Sequence, residues 1–286
     1  MSTTTTSAIA AAPRSLRSRI FNHPFTRAVV AVLCVQVTFF AVLIPTGMLP
    51  KPYRQGWPML LTAVAVVAAY RWYVRKLERR DVPELALRGA GRELGQGIGL
   101  GALLVVFCSA VLLAAGAWTP TGTVAWTVML KPLPEQIMVA FFEEILFRAV
   151  IFRLLEKSWG TTIAFAVSSL LFALAHLSND SFGLLPAVMT AVASATLTGA
   201  WLVTRRLWLP IGLHFAWNYL FDAVFSPPVS GHPGRGWIQI ATAGPDWLTG
   251  GGYGVEGSLV TLVGWGVAAM VLVAAARRRG QWLPKP

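Results

Sequence analysis

The stretch VAFFEEILFRAVIFRLLEK, Val139 to Lys157, has the length and apolar character of a membrane-crossing helix, yet two adjacent carboxylates, Glu143 and Glu144, stand in its middle. A charge at the centre of such a helix costs about 2.5 to 3.5 kcal/mol even on a lenient insertion scale, so a pair of them points to function by default. Arg148 answers one of the two. Glu144 and Arg148 are spaced i,i+4 with the acid on the N-terminal side, the favoured order on one helix face. Glu143 points about 100 degrees away and has no partner on this helix. The two therefore divide into a bracing pair, Glu144 with Arg148, and a free reactive carboxylate, Glu143, of the kind that serves as a general base toward water.

The chain has 286 residues, of which 55% are hydrophobic and 13% charged. That composition excludes an ordinary soluble domain. Apolar runs long enough to cross a bilayer recur at about 26–48, 57–74, 95–118, 133–155, 161–177, 182–203, 209–225 and 257–275. The fold expected is an all-α, polytopic transmembrane bundle of about eight helices. Its divisions are an N-terminal tail at 1–25, a membrane domain at 26–276 with its motif core at 133–225, and a C-terminal tail at 277–286.

Basic clusters test that count. Arg14, Arg17 and Arg19 precede the first run, Arg75, Lys76, Arg79 and Arg80 follow the second, and Arg153 and Lys157 end the fourth. Arg205 and Arg206 follow the sixth, and Arg277 to Arg279 follow the eighth. With eight crossings all of them fall on one side, and the positive-inside rule makes that side, and both termini, cytoplasmic. The net charge of +12 is thereby accounted for at helix ends, and no nucleic-acid partner is implied. The expected setting is a multi-pass protein of a bacterial plasma membrane, its first helix retained and not removed as a signal peptide.

Other features read as structure. Cys34 and Cys108 fall within apolar runs, where they pack as small residues. Gly95, Gly97, Gly99 and Gly101 of GQGIGLGALL allow helices to approach closely; no strand precedes them, as a dinucleotide fingerprint would need. Arg75–Leu94, mixing charge with Leu and Ala, reads as an amphipathic helix in the membrane interface. The Pro- and Gly-rich piece 226–256 reads as an external, irregular loop.

Two further polar points share the membrane with the glutamates. SSLLFALAHLSND places His176 one turn after Phe172, and LPIGLHFAWNYLFD places His214, Asn218 and Asp222 at i, i+4 and i+8, on one face. Each alone suits an interhelical hydrogen bond. Together with Glu143 they supply what amide hydrolysis requires: water activation, oxyanion stabilisation and proton delivery. The eight-run topology raises one difficulty, because it places His176 near the outer end of one helix and His214 near the inner start of another. At 1.5 Å per residue the two would differ in depth by on the order of 15 Å.

EEILFR, FALAH and HFAWN follow E-E-x-x-x-R, F-x-x-x-H and H-x-x-x-N patterns, in that order and on successive apolar segments. In this the chain resembles the CAAX prenyl protease and bacteriocin-processing (CPBP) family of intramembrane endopeptidases, which includes the type II CAAX prenyl proteases and the Abi proteins. The resemblance implies that Glu143 activates water with His176 assisting, and that His214 and Asn218 hold the oxyanion. Glu144, Arg148 and Phe172 then support the helix arrangement. It also implies a peptide or protein substrate, lipidated or not, and a site open toward the cytoplasm. No cofactor is favoured; if zinc is bound, its three ligands are Glu143, His176 and His214, but a ligated Glu143 cannot also be a free base. Two other classes remain open on the residues. A non-catalytic immunity or scaffold protein of the same fold requires a dry, fully paired Glu143, and a transporter is favoured by an inverted repeat, of which the sequence shows no convincing sign.

Overall fold

The computed structural model describes residues 24–285, so Arg14, Arg17, Arg19 and nearly all of the expected N-terminal tail lie outside the described residues. Eight helices carry the fold: α1 (Pro24–Gly47), α2 (Trp57–Tyr73), α3 (Ala90–Ala114), α4 (Leu133–Glu144), α5 (Arg153–Ala175), α6 (Leu184–Thr204), α7 (Trp208–Val224) and α8 (Leu259–Arg278). Five segments are long and apolar enough to cross a membrane: Phe25–Gly47, Trp57–Glu78, Ala90–Ala114, Leu184–Thr204 and Leu259–Arg278. The fold is mostly helical, and not purely so. Strand β1 (Trp118–Thr123) pairs antiparallel with β2 (Ile238–Thr242).

Ion pairs gather one end of the bundle. Arg153 at the start of α5 meets Glu78 beyond the end of α2 at 2.6 Å, and Arg206 in the α6–α7 turn meets Glu93 at the start of α3 at 3.2 Å. Arg205 pairs with Glu156, and Arg279 donates to the Val203 carbonyl near the end of α6 at 2.9 Å. At this basic end the C-terminal segment is docked against the bundle, the Thr161 amide donating to the Leu283 carbonyl at 3.0 Å. The opposite end carries the β pair and the loops around it.

Three features depart from the expected pattern. First, a π-helical stretch, Ile145–Phe152, interrupts the α-helical phase between α4 and α5; the chain then turns at Gly160 (φ 75°), inside the gap expected between the fourth and fifth runs. Second, Arg75–Leu94 is not an amphipathic helix. Arg79 takes a left-handed conformation (φ 55°) and Pro83 opens a single 3-10 turn, which carries Glu84 inward to accept from the Tyr70 hydroxyl and from Arg80. Third, α3 ends at Ala114 and does not reach Trp118, because Gly116 (φ 69°) turns the chain into β1. The loop 226–256 is likewise less irregular than its composition suggests, since it contributes β2 and packs back onto the helices.

Two apolar clusters form the interior. One, on the basic side, joins Tyr70, Phe152, Trp201 and Leu207; the other, toward the β pair, joins Leu112, Trp118, Trp217, Phe221 and Trp265. Helices α3 and α7 meet backbone to backbone. A Cβ on Gly97 would stand 2.7 Å from the Leu213 amide, and one on Gly212 would stand 3.0 Å from the Ile98 amide. Gly101 makes the same kind of contact, whereas Gly95 and Gly99 have open space. The helix that carries His214 and Asn218 is thus fixed against its neighbour by contacts no side chain could replace.

Candidate active site

The junction of α4 with the π-helical stretch presents the two glutamates in different surroundings. Glu144 is fully buried, and its Oε1 accepts from Arg148 Nη1 at 3.0 Å and from His214 Nδ1 at 2.8 Å. Arg148, also fully buried, donates onward from Nη2 to Ser194 Oγ at 3.2 Å on α6 and lies over the Phe172 ring at 4.7 Å. The expected bracing pair is therefore larger than a pair. It ties α4, α6 and α7 together and sets the orientation of an imidazole.

That orientation has a chemical consequence. A carboxylate can only accept, so Nδ1 of His214 is its donor and Nε2 faces away. Nε2 lies 3.8 Å from Glu143 Oε2, and that oxygen has no hydrogen-bond partner in the protein. Glu143 keeps 19% of its side chain exposed, against none for Glu144.

His176 stands just past the end of α5, where the last helical carbonyls lack intrahelical partners. Its Nδ1 lies 2.8 Å from the Phe172 carbonyl. A carbonyl only accepts, so Nδ1 carries the proton and Nε2 of the neutral ring keeps a lone pair. The His176 and His214 rings both flank Phe172, with centroid distances of 4.8 and 6.5 Å. The two rings thus meet across one side chain, and the depth separation inferred from counting residues along each helix does not keep them apart.

Glu143, His176, His214 and Asn218 line a single cavity of about 730 Å³. Part of its wall is aromatic, with Phe39 and Phe40 from α1, Phe142 and Phe147, Phe172, and Trp217. Among the described residues no three His, Cys, Asp or Glu side chains are grouped so as to hold a metal ion.

The loop between α7 and α8 adds groups that sequence reasoning passed over. Arg235 pairs with Asp222 on α7 and with Glu135 on α4 at 2.8 Å, a clasp between the helices that carry the histidine and the glutamates. Hydrogen bonding to Asp222 and Glu135 outweighs burial and holds the Arg235 guanidinium more firmly protonated than usual. Glu256 accepts from Trp217 Nε1 at 2.7 Å and from the Ser230 hydroxyl. The only sequence signal for Arg235 was an isolated charge in a Pro- and Gly-rich run.

The family model described as Type II CAAX prenyl endopeptidase Rce1-like matches residues 124–220. The matched segment covers about a third of the chain and contains all three motifs, in agreement with the resemblance they carry. No curated protein and no solved structure gives a match.

Proposed function

With the Rce1-like match as its premise, we propose that this chain is an intramembrane endopeptidase in which Glu143 activates water. The observation that carries the reading is the Glu143 carboxylate itself. It faces a cavity shared with two histidines and an asparagine, and one of its oxygens has no partner in the protein. A fully paired Glu143, the mark of a scaffold, is not what surrounds it.

In the proposed reaction Glu143 takes a proton from water as the water oxygen attacks the peptide carbonyl carbon, and it later returns that proton to the leaving amine. Nε2 of His176, the nitrogen left with a lone pair, helps to orient the water. Asn218 and His214 donate to the oxygen that becomes an oxyanion. With Nδ1 committed to Glu144, a donating Nε2 makes the His214 ring an imidazolium. Its charge is then met by Glu143, while Glu144 and Arg148 cancel each other, so the set of four is neutral overall, as a site in low dielectric requires. The aromatic walls suit apolar side chains on either side of the scissile bond.

Glu143→Gln keeps the shape and removes the base. We expect it to lower cleavage of a membrane-bound peptide by about 10² to 10⁴-fold, the usual span for a lost general base, with its melting temperature close to that of the parent. Unchanged cleavage by the folded variant would overturn the assignment.

A further inference from the structure

We infer that the cavity opens on the face of the membrane opposite the basic end, so that the substrate is an apolar peptide segment presented on the non-cytoplasmic side. The inference deepens the peptidase reading and rests on it for the nature of the substrate, though not for the orientation.

Ion pairs place the end of α2 and the starts of α3 and α5 at the basic end, and the α6–α7 turn and the C-terminal segment join them there. Lysines and arginines concentrate at that end. Only Lys51, Arg54, Lys131 and Arg235 stand at the other, with Arg148 between, among the described residues. The positive-inside rule counts Lys and Arg in short loops, and here it gives a one-sided answer.

The cavity runs from mid-bundle, where Gln36, Phe147 and His214 line it, to the loops of the other end. Toward that end it is lined by Glu135 to Glu143 of α4, by His176 just past α5, and beyond α7 by the loop residues His232 and Arg235. Glu135, His176, His232 and Arg235 stand at helix ends and loops remote from the basic clusters. On the basic side the cavity is closed by packed protein: Ile145, Ala149, Val150 and Phe152 of the π-helical stretch are fully buried, as are Leu202 and Leu207. A peptide approaching from the basic face would have to pass through that core. From the opposite face it meets loops instead, with His232, Pro233 and Arg235 exposed at the rim. The expectation of a cytoplasmic opening, taken from the family resemblance, is thus reversed by the charge distribution of this chain.

Labelling can test the orientation without reference to activity. In a background carrying Cys34→Ala and Cys108→Ala, single cysteines are placed at the rim (Pro233→Cys), on the exposed side of β1 (Thr121→Cys) and at the basic end (Lys76→Cys). A membrane-impermeant maleimide should label the first two in intact cells and the third only in inverted membrane vesicles. Labelling of Lys76→Cys in intact cells, or of the rim positions only in inverted vesicles, would overturn the inference. Thr121→Cys keeps the test sound if the rim variant does not fold.

A second arm uses an impermeant probe, an apolar peptide with charged groups at both termini, added to sealed vesicles of either orientation. Cleavage is expected in right-side-out vesicles and not in inverted ones, and the reverse result would overturn the proposal. Labelling as expected with no cleavage in either orientation would instead overturn the peptidase reading and its substrate, leaving the orientation standing.

Discussion

Arginine meets the buried acids of the basic end, whereas in the cavity half it meets Glu144 and Asp222 but not Glu143. At the basic end, carboxylates are met by arginine: Glu78 by Arg80 and Arg153, each at 2.6 Å, Glu84 by Arg80 at 2.7 Å, and Glu156 by Arg205. In the cavity half, Glu143 Oε2, Gln136 Oε1 and Gln36 Oε1 are buried atoms with no hydrogen-bond partner in the protein. An unsatisfied buried polar group costs about 1 to 3 kcal/mol, so it persists only where something other than stability maintains it. The arginine-paired acids hold helix ends together. Glu143, left without such a partner, is the one available for chemistry.

The contrast breaks most visibly at Arg148, the one buried arginine of the cavity half. Arg148→Ala leaves the buried Glu144 without its arginine and should destabilise the protein by about 3 to 5 kcal/mol, read as the loss of folded protein in detergent on heating. The double change Glu144→Leu with Arg148→Met should recover much of that stability, since a buried ion pair exchanges for apolar residues at little net cost. It should not recover cleavage, because His214 Nδ1 then has no acceptor. Recovery of both would show that the Glu144–His214 bond has no catalytic importance.

A smaller effect is expected where α3 meets α7. Gly97→Ala forces a methyl group toward the Leu209 carbonyl and the Leu213 amide, and overpacking of this kind costs about 1 to 3 kcal/mol. Gly95→Ala, about half a turn away with open space around it, serves as the control and should melt like the parent.

The smallest effect lies at Glu84. Burial works to raise its carboxyl, but hydrogen bonds from Arg80 and Tyr70 hold it below the ordinary carboxylate range. Its contribution is therefore present at neutral pH and is lost as pH falls through that range toward the lowered folded value. Glu84→Gln should lower stability slightly at neutral pH and flatten the acid side of a melting-temperature profile. An unchanged acid limb would place the acid sensitivity elsewhere.

Much of this arrangement was legible in the sequence because its signals are local. Apolar runs mark the helices, and the i,i+4 spacing couples Glu144 to Arg148 and aligns His214 with Asn218. That His176 and His214 meet across Phe172 was not legible, because residue counts along separate helix axes do not fix the relative depth of two helices. Arg75–Leu94 has the composition of an interfacial helix, but Glu84 is drawn inward by Tyr70 and Arg80, a tertiary demand that overrides it. The role of Arg235 was hidden for the same reason. Its partners Glu135 and Asp222 lie 100 and 13 residues away, and only the closed fold brings them together.

The π-helical stretch Ile145–Phe152 also bears on how this segment can change in length. Such stretches interrupt the α-helical phase and recur near functional sites. In this chain the interruption lies immediately after the glutamates and ahead of the arginines that anchor the basic end. Removing one residue within it would turn the glutamates by about 100 degrees relative to those anchors, carrying Glu143 off the cavity and Glu144 off His214 together. Apart from Arg148, substitutions along the stretch need only preserve volume, whereas a one-residue insertion or deletion would misalign both carboxylates at once. The spacing between Glu144 and Arg153 is therefore a length constraint, separate from any constraint on which side chains occupy it.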